Sequence, residues 1–317
     1  MVIRLGIIGY SKDNGHPFSF SAIVNGYNSD ALRGSGWIII ADYLDQRETE
    51  DFGIDDVRIT HVWCPDSTVS KQVSVACSVD NICNDYSEMI GQVDGVIIAR
   101  DDWRSHFEIA SYFLRLKVPV FVDKPLTLDL AELKFFEEYL QSGLLMSCSG
   151  LRYAKEIRNI KVQYDELNYT SAVVVNDFEK YGIHMLEILT TIDHRFAYPL
   201  QITRQESTHE SFLFNYANGS SMSLNCLGSS AKAFEVGMFG RNQNHYLTVN
   251  DNFSAFKETL NEFVAMIKTR ISPIPIHETE SLMLIIAAGK SLSTGNSLDF
   301  IKFKAEVDKD WEIHVSQ

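Results

Sequence analysis

The stretch Val118-Pro119-Val120-Phe121-Val122-Asp123-Lys124-Pro125-Leu126 decides the reading of this chain. Its apolar, β-branched run predicts a buried parallel strand over Pro119 to Val122. A carboxylate, an amine and a proline follow where that strand must end. Ligands of a doubly wound sheet bind just beyond the carboxyl ends of its strands. Lys124, held by a rigid X-Pro bond, is therefore placed for chemistry on a bound molecule. A surface loop with a solvated charge pair is the competing reading.

Around this strand the first 150 residues alternate strand and helix. Ile3 to Ile8, Val57 to Trp63, Val93 to Ala99 and Leu144 to Ser149 read as strands. Ser67 to Cys77, Ser105 to Leu116 and Leu130 to Leu140 read as helices between them. Gly6-Ile7-Ile8-Gly9-Tyr10-Ser11 turns out of the first strand, and Gly9 lets backbone approach a diphosphate. The pattern departs from G-x-G-x-x-G, because its glycines stand three apart and the third position is not a clean glycine.

A loop, Asp13-Asn14-Gly15-His16-Pro17-Phe18-Ser19-Phe20-Ser21, follows, with a helix expected from Ser19 or Ser21. Residues 26 to 46 delay the second core strand; Trp37-Ile38-Ile39-Ile40 within them reads as a lid or wall over a cofactor, or as surface decoration. Asp66, after the second strand, either reads the adenosine ribose or caps the next helix. NAD and NADP are both open at this point. Arg100 and Asp101 end the Val93 strand at the same edge.

Beyond residue 150 the character changes. Thr170 to Asn176, Gln201 to Glu206, Ser211 to Tyr216, Ser220 to Leu227, Ala233 to Phe239 and His245 to Val249 read as strands, and Asn218-Gly219 as a hairpin turn. A helix over Gly182 to Ile192 and two more, over Phe253 to Arg270 and Glu278 to Ser293, complete an α+β domain. Two domains are expected, 1–150 and 151–317, with the last helices packing back on the first.

The formal net charge of −14 disfavours nucleic acid as a partner, since like charges repel. No run approaches the about 18 apolar residues of a membrane span. The opening Met1-Val2-Ile3-Arg4 enters a strand directly, which leaves no room for a signal peptide. Five cysteines without CxxC or metal-ligand spacing fit reduced thiols, a cytoplasmic location and no metal.

Taken together, these pieces resemble the Gfo/Idh/MocA family of nicotinamide-dependent oxidoreductases over essentially the whole chain. Val93 to Ala99 followed by His106, Val122-Asp123-Lys124-Pro125-Leu126 as an E-K-P signature with Asp for Glu, Leu151-Arg152-Tyr153 as the crossover, and Tyr181-Gly182-Ile183-His184-Met185-Leu186-Glu187 as a G-x-H-x-x-D/E helix carry the likeness. It implies a Rossmann domain followed by an open, mostly antiparallel sheet domain. It also implies NAD or NADP held by Gly6, Gly9, Tyr10, Ser11, Asp66, Arg100, Asp101, Asp123, Lys124 and Pro125. Lys124 would hydrogen-bond the substrate, Asp123 the nicotinamide ribose, and His184 would exchange the hydroxyl proton. The Lys–Pro bond of such a signature is often cis.

One departure stands out: Lys180 takes the place of an Asp four residues before the His, on the same helix face. A cation there favours the neutral imidazole. Either Asp177 or Glu179 takes over the carboxylate role, or the chemistry differs from simple alcohol oxidation or catalysis is lost. Lys180 is carried as a catalytic candidate, and Arg152 and Tyr181 as substrate contacts. Lys180 and Arg152 bind an anionic group on this reading, or are solvated surface charges. The expected activity is oxidation or reduction of a sugar or nucleotide-sugar, as in surface-polysaccharide pathways. A non-catalytic dinucleotide-binding protein, or a lyase or epimerase using its cofactor transiently, fits the same scaffold. A homodimer or homotetramer through the open sheet is implied.

Overall fold

The computed structural model describes residues 2–158 and 160–315. Met1 and the last two positions of the expected second domain lie outside them. The first part of the chain runs β1 (Ile3–Ile8), α1 (His16–Asn25), α2 (Ser29–Gly34), α3 (Ile38–Leu44), β2 (Val57–Trp63), α4 (Ser67–Cys77), β3 (Asn81–Ile82), β4 (Gly95–Ile98), α5 (His106–Arg115), β5 (Val120–Asp123), α6 (Leu130–Gln141) and β6 (Leu145–Cys148). The strands pair side by side in the order β3-β2-β1-β4-β5-β6. Every pair is parallel.

Burial on both faces explains the unbroken apolar runs: Leu5, Ile7, Ile8, Val96, Ile97, Ile98, Val120, Phe121 and Val122 are all fully buried. The order reverses between β1 and β4. That reversal is the switch point at which such sheets bind ligands.

β7 (Leu167–Val174), α7 (Ile183–Ile192), β8 (Gln201–Arg204), β9 (Glu210–Asn215), β10 (Ser221–Cys226), β11 (Phe234–Gly240), β12 (Asn244–Thr248), α8 (Asn252–Thr269), α9 (Ile276–Ser291), β13 (Ser297–Asp299) and α10 (Phe300–Val315) follow. The second sheet has the order β12-β11-β7-β10-β9-β8-β13. Its pairs are antiparallel except β7 with β10. Among the described residues no helix is long and apolar enough to cross a membrane.

The chain divides into two compact units. One holds residues up to Leu126 with Phe136–Cys148 and Phe253–Ile274; the other holds Thr127–Phe135, Ser149–Asn252 and the chain from Pro275. Relative to a single cut at 150, α8 thus belongs with the parallel sheet. In the first unit it fills the space over Gly95, whose missing Cβ would stand 2.6 Å from Ile267.

Three local expectations are corrected. The first helix starts at His16, ahead of Ser19, because the Asn14 side chain accepts the His16 N–H (2.8 Å) and Pro17 suits a first helical turn. Residues 26 to 46 form the two short helices α2 and α3, and Trp37 and Ile40 pack directly against Gly15. The chain also continues past Ser293 into β13 and α10, where Phe300, Phe303, Val307 and Trp311 recur at helical spacing.

Candidate functional site

In the first unit the loop from β1 to α1 is shaped by packing. A Cβ on Gly9 would lie 2.5 Å from the Pro17 ring and 3.0 Å from Cys64 Sγ, so only glycine fits. Gly6, inside β1, faces Met89 Sδ in the same way at 2.5 Å. Across the switch point, the Ser11 hydroxyl donates to Asp101 Oδ1 (2.5 Å) and accepts the Asp101 N–H (3.2 Å).

The first turn of α1 offers little to an anion. Its His16 N–H goes to Asn14, Pro17 has none, and the Phe18 and Ser19 N–H groups go to Gly15 O. By contrast, the N–H groups of Tyr10, Ser11, Lys12, Asp13 and Gly15 make no hydrogen bond among the described residues. A diphosphate-bearing dinucleotide fits this donor set, with the loop itself supplying what a helix start usually supplies.

At the end of β5, Asp123 and Lys124 are both only 3% exposed. Asp123 Oδ1 accepts the Lys124 N–H (2.9 Å), and Oδ2 faces His16 Nδ1 (2.5 Å) and the Asn14 amide (3.3 Å). Burial works to raise this carboxyl, but His16 and Lys124 outweigh it and hold it down at about 2. The Lys124–Pro125 peptide bond is cis.

His106, fully buried at the start of α5, joins the loops after β4 and β5. Its Nδ1 lies 2.9 Å from Leu126 O and its Nε2 3.0 Å from Arg100 O. Arg100 is itself pinned by Asp102 and Ser105. Asp66 serves as the N-cap of α4, its carboxylate accepting the Thr68 N–H at 2.8 Å.

In the second unit Asp177 caps a π-helical turn, Phe178–Gly182, that leads into α7. Lys180 and Tyr181 lie in this turn, and His184 on the first turn of the α-helix. The extra residue of a π turn alters the simple four-residue face expected between Lys180 and His184. Asp177 accepts the Lys180 N–H (2.8 Å) and Glu179 pairs with Lys290. The group at His184 Nδ1 is the Ser149 hydroxyl, 2.6 Å away, which also accepts the Leu151 N–H at 3.1 Å. Tyr181 and Phe234 set their rings edge-on to the imidazole.

One turn on, buried Glu187 pairs with Arg152, and Arg152 also reaches Glu278 at 2.5 Å. Arg152 is therefore not a solvated charge. Burial pushes the Glu187 carboxyl up to about 7; Arg152 opposes that and Glu278 adds to it.

Asn14, His16, Ser149 and Glu278 had no role in the sequence reading. Of these, Asn14 and His16 lie inside the unusual loop that the sequence singled out. Among the described residues no cluster of His, Cys, Asp or Glu is arranged to hold a metal ion.

Residues 33–142 match the model of the GFO_IDH_MocA family, an oxidoreductase family with an NAD-binding Rossmann fold. No curated protein matches the chain by sequence. Among solved structures, myo-inositol 2-dehydrogenase from Lactobacillus plantarum superposes with a TM-score of 0.73 at 16% identity, covering 94% of this chain and 99% of that one. Scyllo-inositol dehydrogenase from Lactobacillus casei, with bound NAD(H) and scyllo-inositol, gives 0.73 at 11% identity over 95% and 100%. An oxidoreductase from Agrobacterium radiobacter in complex with NAD+, L-tartaric acid and magnesium gives 0.69 at 12% over 96% and 100%. At these identities the likeness is one of fold. The family match thus rests on residues 33–142, about a third of the chain, which are similar to the Gfo/Idh/MocA oxidoreductases.

Proposed function

We propose that the protein is an NAD(H)-dependent dehydrogenase or reductase acting on a CH–OH or keto group of a sugar or related polyol. A nucleotide-linked sugar of the kind used in surface polysaccharides is the narrower form of this reading. The observation that carries it is the donor-rich loop Tyr10 to Gly15 at the β1/β4 switch point of an NAD-binding Rossmann fold. When bound, the nicotinamide supplies a two-electron hydride acceptor or donor.

Oxidation of the alcohol releases a proton, which a residue must take. His184 suits that step: with Nδ1–H donated to Ser149 Oγ, its Nε2 lone pair accepts the hydroxyl proton. Lys124, fixed at the end of β5, hydrogen-bonds the substrate oxygen on which charge develops. Gly6, Gly9, Tyr10, Ser11, Asp66, Arg100, Asp101, Asp123 and Pro125 make the cofactor's surroundings. Arg152 acts on α7 through its acid partners, and Tyr181 contacts substrate. The sheet face bearing Tyr169 and Tyr246, 38% and 73% exposed, supports association into a dimer or tetramer.

The test is mass spectrometry of purified protein for retained cofactor, then fluorescence titration with NADH and NADPH. Turnover is then assayed on inositols, sugars and nucleotide-sugars, with Lys124→Ala and His184→Ala alongside. Cofactor binding with turnover lost in both variants supports the reading. Failure to bind either dinucleotide sinks it, and binding without turnover on any polyol leaves a non-catalytic dinucleotide protein.

A further inference from the structure

His16 is used by neither proton transfer nor substrate binding above, yet it stands at the carboxyl end of the parallel sheet with one nitrogen bonded. Its Nδ1 faces Asp123 Oδ2 at 2.5 Å, on a carboxylate that also takes the Lys124 N–H and the Asn14 amide. An ionised carboxylate only accepts, so the His16 hydrogen sits on Nδ1 whether the ring is neutral or charged. Protonation then falls on Nε2, which has no hydrogen bond among the described residues. The side chain is 22% exposed, which lets that proton exchange with solvent.

Phe20 of α1 and Phe256 of α8 pack on the His16 ring with centroids 5.0 and 5.2 Å away. Asp123 is the acid facing it, Lys124 is the next charge along β5's end, and Asn14 is the neutral group beside them. Asp123 stays ionised above about pH 2, so the pair changes charge only through His16. It carries −1 with a neutral imidazole and zero with an imidazolium.

In the doubly wound plan, the nucleotide read by the acid after β2 lies over the first half of the sheet. The ends of β4 and β5 therefore face the other nucleotide, the nicotinamide one. The oxidised nicotinamide ring bears a positive charge and the reduced ring none. We infer that the protonation state of His16 sets the preference of this site for oxidised over reduced cofactor. Neutral His16 favours NAD+, imidazolium favours NADH, and NAD+ binding expels the His16 proton. This rests on the dinucleotide-binding reading above.

Fluorescence and calorimetric titrations with NAD+ and NADH, from about pH 5.5 to about pH 8.5, test it in wild type and His16→Gln. The glutamine keeps an N–H for Asp123 but has no proton to lose. In wild type the ratio of the NAD+ to the NADH dissociation constant is expected to fall as pH rises, by up to about tenfold per pH unit, the limit for one linked proton. In His16→Gln it is expected to stay flat. A flat wild-type ratio, or a variant that keeps the slope, overturns the inference while the cofactor reading stands. Binding of neither cofactor at any pH overturns both. Should the variant not fold, imidazole 15N NMR on wild type decides alone. The His16 midpoint must be lower with NAD+ bound than with NADH, and Nδ1 must carry the hydrogen in the free protein; either result reversed refutes it.

Discussion

Arg152→Met probes the acid–guanidinium triad that anchors α7. The Arg152 side chain is 8% exposed and serves two carboxylates, Glu187 at 3% and Glu278 at 8%. Removing the one cation leaves two acids buried side by side, a change that costs about 3–5 kcal/mol when a buried pair is broken. The pH dependence gives the sharper check. Glu187 rises from an ordinary 4.5 to about 7 in the folded protein, chiefly through burial. A raised carboxyl means that the native state binds the extra proton. The stability contribution is therefore full below about pH 4.5 and is lost as pH climbs through about 7. At about 1.4 kcal/mol for each pH unit, the loss is about 3 kcal/mol.

Urea denaturation of wild type, Arg152→Met and Glu187→Gln at about pH 5 and about pH 8 reads these terms directly. Arg152→Met is expected to lose most at the higher pH, where Glu187 ionises. Glu187→Gln is expected to flatten the slope and to be more stable than wild type at the higher pH. An arginine variant that costs under about 1 kcal/mol at pH 8, or a glutamine variant that keeps the slope, refutes the reasoning.

Gly9→Ala places a methyl 2.5 Å from the Pro17 ring and is expected to lower stability by about 1–3 kcal/mol and to weaken dinucleotide binding, seen in thermal melts and cofactor titration. Ser149→Ala strips the partner from His184 Nδ1 and is expected to cut kcat about 10- to 100-fold with KM little changed, measured by steady-state kinetics on the first substrate found. Asp123→Asn is expected to remove about 2 kcal/mol of stability that wild type holds above about pH 4 and loses as pH falls toward about 2, checked by acid denaturation. All five thiols are buried, and burial holds Cys64 and Cys83 up at about 11, so alkylation at neutral pH is expected to reach none of them until denaturant is added.

Strands buried on both faces were legible because burial leaves apolar runs with no alternation to confuse them. β2 and α4 begin and end at the residues expected, Val57 to Trp63 and Ser67 to Cys77. The six-stranded parallel sheet and the mostly antiparallel second sheet follow from the same patterns. Partners were not legible, because each depends on contacts far along the chain. His16 and Asp123 are 107 residues apart, Arg152 and Glu278 126, and Ser149 and His184 35. Local spacing carries no trace of such pairs. It therefore pointed to Asp177 or Glu179 for His184, when the group at Nδ1 comes from the end of β6.

Those long-range pairs also bear on how so acidic a chain would accept the anionic cofactor proposed above. Two carboxylates, Asp101 and Asp123, are buried at the ends of β4 and β5, on the side proposed for the anionic cofactor, and bare acids there would repel it. Each is instead satisfied from the β1–α1 loop: Asp101 by Ser11, and Asp123 by Asn14 and His16. A glycine-only turn has no side chains with which to do this. The departure from G-x-G-x-x-G is thus tied to the acids opposite it, and the backbone N–H groups of Tyr10, Ser11, Lys12, Asp13 and Gly15 are left for the proposed cofactor. Loop and acids form one unit, so glycine at Ser11 or Asn14 would strip one hydrogen bond from a buried carboxylate and is expected to weaken cofactor binding in titration.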